Sequence, residues 1–431
     1  MKSMLKGKIY FGWWTVLATG IVSGAGVGFY AYGFSALFKP IASELGFSRA
    51  ATSGAPGIGM MIGSLLAPVV GIIVDRFGPR LTILAGLFTI VTGLTAMSMV
   101  DSLIGFYLVW GLILGLGLNL GLTVAIDKAM SNWFVRKIGL AVGAKFALIS
   151  LVSAVLLPTI SWLLSVIGWR MTCLVWAGIM FAGIPVILTF VKNRRPEHYG
   201  LLPDGDEPSS DADKGLDSEN KGDSQSPGSQ TEEYSLRQVI RTRVYWIMCL
   251  AIFIQICIII GFSTHCIPFL TEMRIDPVVA GGMMGMMLIC SIPSRLIVGF
   301  FADHFGHTGL SFLFVLPFLM LLTGLWSFLI YQSSFTIYLL LILFGIAHGL
   351  PMPIFIVMVN RLFGRKAFGA ILGTSMMITA PASLVSPILT GWIFDTTGSY
   401  AVAFNLFAWL SFLSFFLFFF IKPPKNGTLG F

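Results

Sequence analysis

Residues Gly71 to Arg80 read GIIVDRFGPR, and a near copy, GFFADHFGH, runs from Gly299 to His307, 228 residues later. Each copy ends an apolar run on a Gly. Each places an Asp four residues on (Asp75, Asp303) and a second Gly three beyond that (Gly78, Gly306). A repeat spaced at half the chain length points to a duplicated architecture.

The surroundings of the repeat place it in a membrane. The 431 residues are 56% hydrophobic and 11% charged, with a mean hydropathy of +0.88. A soluble protein carries roughly a quarter charged residues. The net charge of +8 sits beside apolar runs, which favours membrane flanks over nucleic acid. Cys173, Cys249, Cys257, Cys266 and Cys290 fall inside apolar runs without metal-ligand spacing and read as packing residues. The first apolar run, 11–38, is longer than a signal-peptide core and reads as a retained span.

A spanning helix needs about 20 apolar residues. Twelve runs qualify: 11–38, 50–74, 81–99, 104–131, 138–164 and 171–191, then 244–270, 278–301, 309–331, 334–359, 367–392 and 400–421. The fold class is therefore all-α, with twelve transmembrane helices in two six-helix pseudo-symmetric halves. The expected division is 1–191, a cytoplasmic flexible linker over 192–242, and 243–431. Pro203 to Glu233 is too polar to bury a core, and Ser235 to Thr242 predicts a short helix. Lys and Arg cluster at the termini, the linker and the even-to-odd turns, while Lys39, Arg49, Arg170 and Arg274 stand opposite. Both termini are thus expected in the cytoplasm. Further landmarks keep the register: Phe134 with Phe363 and Pro158 with Pro387 at 229, Gly168 with Gly398 at 230. Such repeats put a solute site between the halves near mid-membrane.

The pattern G-x-x-x-D-R-x-G-x-R, fully met by GIIVDRFGPR, resembles the signature loop of the major facilitator superfamily. The second copy carries His304 and His307 where Arg is usual. WFVRKIGLAVG (133–143), RRPEHYGLLPDG (194–205), HCIPFL (265–270), SRLIVGFFADHFG (294–306) and FGRKAFGAILG (363–373) resemble the monocarboxylate porter and oxalate/formate antiporter group. The resemblance implies alternating access, proton symport or exchange of small carboxylates, and a cell inner membrane. The expected partners are a small organic anion, H+ and the lipid bilayer, with no nucleic acid.

The loop residues have a role of their own. Asp75 can accept hydrogen bonds from a neighbouring helix N-terminus, Arg76 and Arg80 can bind carbonyls or acids, and Gly71 and Gly78 allow close approach. With Asp303 they form a candidate conformational latch; simple positive-inside anchoring is the alternative.

Ionisable groups inside spans are costly and mark function. Arg295 lies eight residues before Asp303, roughly 12 Å inside at 1.5 Å per residue. A guanidinium grips a carboxylate through two parallel bonds. The resemblance matches Arg295 to the span-eight Arg that binds the substrate carboxylate; a structural Arg is the alternative. Asp127 and Lys145 stand nine residues either side of Arg136, so an antiparallel pair brings them level. Lys145 is then a second cation for substrate, with Asp127 its counter-ion or a proton carrier, or the two form a structural pair. His265 suits proton coupling or substrate contact near an outer gate, and His348 precedes Pro351 and Pro353, which break span ten. For both, a hydrogen-bonded packing His is the alternative. Tyr30, with Phe29 and Tyr32, and Asn119, in a stripe with Thr123 and Asp127, can face solute.

No phosphate-binding G-x-x-x-x-G-K-[ST], zinc set or Ser/His/Asp arrangement occurs, so no enzyme, metal or cofactor is expected. The acid that some carboxylate porters place one turn before the span-eight Arg is here Ser291. The function expected is secondary active transport of small organic anions, monocarboxylate-type and proton-coupled. Carboxylate exchange, another solute class, or a non-transporting sensor are the alternatives.

Overall fold

The computed structural model describes residues 10–135, 137–193, 196–199, 201–205, 234–301, 307–363 and 367–417. They form twelve long helices and, among the described residues, no strand. We number these α1 (Phe11–Leu45), α2 (Arg49–Phe77), α3 (Pro79–Met97), α4 (Leu103–Trp133), α5 (138–167) and α6 (169–190). The second half holds α7 (Arg243–Glu272), α8 (Pro277–Phe301), α9 (His307–Ile330), α10 (Ser334–Gly349 and Pro351–Phe363), α11 (Phe368–Thr397) and α12 (Ala401–Phe416). This is the expected six plus six.

Local chemistry sets the boundaries. Ser48, Ser102 and Thr242 cap α2, α4 and α7, each accepting a backbone N–H three residues on. Gly46, Gly78, Gly168 and Gly398 turn the chain at positive φ, where a side chain is disfavoured. At Gly168, φ is 73° and ψ 171°, a non-helical kink that ends α5 and starts α6 with no longer loop between them.

Three spans depart from regular α-helix. Gly28–Gly33 of α1 and Tyr107–Leu114 of α4 are π-helical. Thr123 breaks α4 at φ −118°, ψ −97°, and α10 breaks between Gly349 and Pro351. Such irregularities gather at functional sites.

Glycines bring the helices together. A Cβ on Gly115 would meet Gly59 Cα at 2.6 Å, so α4 lies directly on α2. Between the halves, antiparallel α2 and α11 touch where a Gly57 Cβ would meet Ser383 O at 2.8 Å and a Gly391 Cβ the backbone of Arg49 and Ala50 at 2.7 Å. For α5 and α8 the matching contacts are Gly281 on Ser161 and Gly285 on Ala154, both 2.6 Å. All four lie toward one face of the bundle. Toward the face bearing the linker, the halves part. Gly373 is five full turns from Gly391, yet it and Gly369, Gly71 and Gly139 meet nothing described within 4 Å. The structure is thus closed at the far face and open at the linker face.

The linker expected over 192–242 is more ordered at its ends than its composition predicts. Pro196–Tyr199 and Pro203–Gly205 form short turns against the first half. Tyr199 stacks on Trp133, and Asp204, 4% exposed, accepts the N–H groups of Val135 and Lys137. These donors lie in the α4–α5 turn, so one carboxylate satisfies what the helix ends leave open. At the other end Leu236–Val239 is helical, as predicted, and the Tyr234 N–H donates to Phe363 O. Residues 206–233 lie outside the described residues.

Candidate functional site

Arg295 sits where the α5–α8 contact gives out. Its Nη1 donates to Phe146 O at 3.2 Å and Ser150 Oγ at 3.1 Å, both on the other half. Ser291 donates to Leu288 O, leaving its oxygen free to accept from Ser150, 3.2 Å away. Residue 291 thus holds the guanidinium through a hydroxyl relay rather than a carboxylate. Among the described residues Arg295 has no acidic partner. Tyr32 and His348 stand beside the same guanidinium. Tyr32 hydroxyl and His348 Nε2 are 3.5 Å apart, and the buried Nδ1 of His348 has no hydrogen-bond partner among the described residues.

Lys145 reaches the same place from its own side. It is 2% exposed and pairs with Asp127, which is half exposed. The two residues thus stand level on the adjacent antiparallel helices α4 and α5, as their spacing from Arg136 predicts. Lys145 Nζ lies 4.3 Å and Arg295 Cζ 5.6 Å from the Phe146 ring centroid, so the two cations are at most 9.9 Å apart. The Asp127 carboxylate and two cations leave this cluster with one net positive charge.

The other expected residues are placed elsewhere. Tyr30, 3% exposed, turns into the first half, stacking on Trp110 with its hydroxyl 3.4 Å from Pro56 O. Tyr32, two residues on and so on the opposite side of the helix, faces the centre instead, its hydroxyl beside His348. Asn119 donates to Gly115 O and packs on Gly63 of α2, within the first half. The break at Thr123 interrupts the stripe from Asn119 to Asp127.

His265 is fully buried near the far face, about 16 Å from the depth of Arg295 by helix rise. Its Nε2 is 3.0 Å from Pro387 O and from Ser53 Oγ, and its Nδ1 is 3.1 Å from the Tyr400 hydroxyl. Ser53 spends its hydrogen on Arg49 O, so both groups facing Nε2 are acceptors. Arg49 donates to the Tyr400 oxygen at 2.6 Å, which leaves the Tyr400 hydrogen for Nδ1. The ring is therefore neutral, protonated on Nε2. Around it lie Arg49 with Glu272, Lys39 with Glu272 at 2.9 Å, and the Arg49 guanidinium 3.5 Å over Phe394. Each of these ion pairs and ring contacts joins the two halves.

Among the described residues, the first loop motif makes no such crossing. Asp75 pairs with Lys128 at 2.8 Å, within its own half. Arg80 bonds Leu188 O and, through its N–H, Asn193 Oδ1; Arg76 lies over Phe77. Asp303 lies outside the described residues. Sequence reasoning missed Phe146 and Ser150, which look like ordinary packing, and the Arg49–Asp395–Tyr400 cluster, which no local motif marks.

Twelve helices in two halves, closed at one face and open at the other around a basic centre, define a membrane carrier. The family model of the Major Facilitator Superfamily matches residues 16–326, and the chain belongs to that superfamily. It is similar to the oxalate:formate antiporter of Oxalobacter formigenes, 30% identical over 37% of this chain and 38% of that protein. It is also similar to monocarboxylate transporter 12 of Rattus norvegicus, 24% identical over 84% of this chain and 75% of that one. Among solved structures, a point mutant of nucleoside transporter NupG aligns with a TM-score of 0.68 and 15% identity, over 94% of this chain and 99% of that chain. That last likeness concerns the fold alone.

Proposed function

We propose that this carrier moves a small monocarboxylate-type organic anion across a cell membrane by alternating access, coupled to protons. The observation that carries the reading is Arg295, a guanidinium without an acid partner among the described residues, at the level where the halves separate. A charge held there without a counter-ion is expensive, and a substrate carboxylate supplies what is missing. Lys145 adds a second cation whose strength depends on Asp127. With Asp127 ionised, Lys145 is neutralised and the site favours one negative charge. With Asp127 protonated, Lys145 is released toward the anion, so proton and anion bind together. Tyr32 and His348 orient the substrate beside Arg295. The linker face is cytoplasmic by the Lys and Arg distribution, so this conformation opens inward.

The names of the relatives support a carboxylate, and one of them is an antiporter, which keeps exchange as the second mode. Flux of a labelled monocarboxylate into liposomes, with and without a pH gradient, tests the reading. Gradient-driven accumulation is expected. Flux that appears only with carboxylate preloaded inside indicates exchange, and flux of nucleosides but not carboxylates overturns the substrate class.

A further inference from the structure

The Phe146 ring lies close to both cations, its centroid 4.3 Å from Lys145 Nζ and 5.6 Å from Arg295 Cζ, and it is 42% exposed although Lys145 beside it is 2% exposed. The exposed stripe of α5 runs through Leu151, Val155 and Trp162, the pattern of a lipid-facing side. Phe146 precedes Val155 by nine residues, which at 3.6 per turn is two and a half turns. Its ring therefore points away from lipid, toward the bundle axis. It occupies the last closed rung of the α5–α8 contact. One turn nearer the linker face, Gly143 approaches only Leu296, at 3.9 Å, and Gly139 meets nothing described within 4 Å. The exposed part of the ring thus looks into the opening between the halves. Arg295 is fixed to the same residue through Phe146 O at 3.2 Å.

From this arrangement we infer that Phe146 is the specificity platform of the site, selecting monocarboxylates with a short apolar or aryl body. The inference rests on the carboxylate reading above. A carboxylate on Arg295 projects its carbon skeleton along the neighbouring ring, where apolar area leaves water. The ring face is the negative side of its quadrupole, so it attracts Lys145 and Arg295 and repels a second carboxylate laid across it. Lys145 is spent on Asp127 or, once Asp127 is protonated, on the same carboxylate that Arg295 holds, so it does not collect a second charge. The platform thus rejects dicarboxylates and rewards hydrocarbon, and its area sets which lengths bind best.

The test is competition for labelled propionate uptake in liposomes by acetate, butyrate, benzoate and malonate, in the wild type and Phe146→Ala. In the wild type, butyrate and benzoate should compete better than acetate, with malonate weakest. In Phe146→Ala the advantage of butyrate and benzoate over acetate should fall on the order of tenfold, as expected when a hydrophobic contact is removed. Acetate itself should change less than threefold. Phe146→Leu keeps most of the volume and carries the same test, with a larger loss for benzoate than butyrate, should the Ala variant fail to reach the membrane. Unchanged competition ratios with propionate uptake intact overturn the platform alone. A wild type that moves no monocarboxylate overturns the carboxylate reading and this inference together.

Discussion

Asp395 accepts the backbone N–H groups of both Arg49 and Ala50, so the end of α11 caps the start of α2. The two helices are antiparallel, and the same register brings Asp75, at the other end of α2, level with Phe368 at the start of α11. One carboxylate is docked on its helix N-terminus; the other, with the halves parted, bonds Lys128 instead. The pair reads as two alternating caps, one for each closed face. Asp395→Asn should weaken far-face closure by about 0.3–1 kcal/mol, roughly a two- to fivefold shift. Labelling of Ser383→Cys by an impermeant thiol reagent, in a cysteine-free background, should speed up by that factor. Asp75→Asn should slow it. Equal rates in both variants would remove the alternating caps.

The tautomer of His265 gives the far face a response to acid. A proton added at Nδ1 expels the Tyr400 hydrogen bond and places a second positive charge beside Arg49. Both effects oppose closure, while Asp395 and Glu272 are already committed to Arg49. Acidifying the far side between about pH 8 and 5 should therefore accelerate labelling of Ser383→Cys. His265→Gln should abolish that acceleration. Tyr400→Phe removes a hydrogen bond to a charged donor worth about 1.5 kcal/mol, so it should label roughly tenfold faster at every pH. Acid acceleration surviving in His265→Gln would assign the response to another group.

Lys145 is buried and Asp127 is its only acid partner among the described residues. Asp127→Asn should cost about 2–3 kcal/mol, less than for a fully buried pair because Asp127 is half exposed. Thermal unfolding of the purified variant measures this, and adding Lys145→Gln should restore most of the loss. The double variant should still bind carboxylate at Arg295 but lose accumulation driven by a pH gradient. Retained accumulation would leave the pair a structural role only.

These relationships were unevenly visible in the sequence. The twelve spans follow from apolar length alone, and the two-half repeat from its spaced landmarks. Asp127 and Lys145 could be paired because depth along adjacent antiparallel helices is countable. Arg295 stood out because charge inside a span is costly. Tyr30 was misleading because Tyr30 and Tyr32, two residues apart, lie on opposite sides of a helix, and nothing local marks which of the two faces the other half. Phe146 and Ser150 were silent because an aromatic and a hydroxyl in an apolar helix are ordinary packing residues. The far-face cluster was hidden for another reason: Arg49, Glu272 and Asp395 are distant in sequence, and only the crossing of the halves assembles them. The linker's polarity concealed Asp204, whose order comes from two N–H groups that the α4–α5 turn leaves over.

The central claim is that Arg295 receives the carboxylate. Saturable uptake of labelled monocarboxylate into liposomes, compared between wild type, Arg295→Lys and Arg295→Ala at matched, folded protein, tests it most directly. Arg295→Ala should lose saturable uptake, and Arg295→Lys, which keeps the charge but not the fork, should raise KM by roughly tenfold or more. Normal saturable uptake by Arg295→Ala would contradict the account.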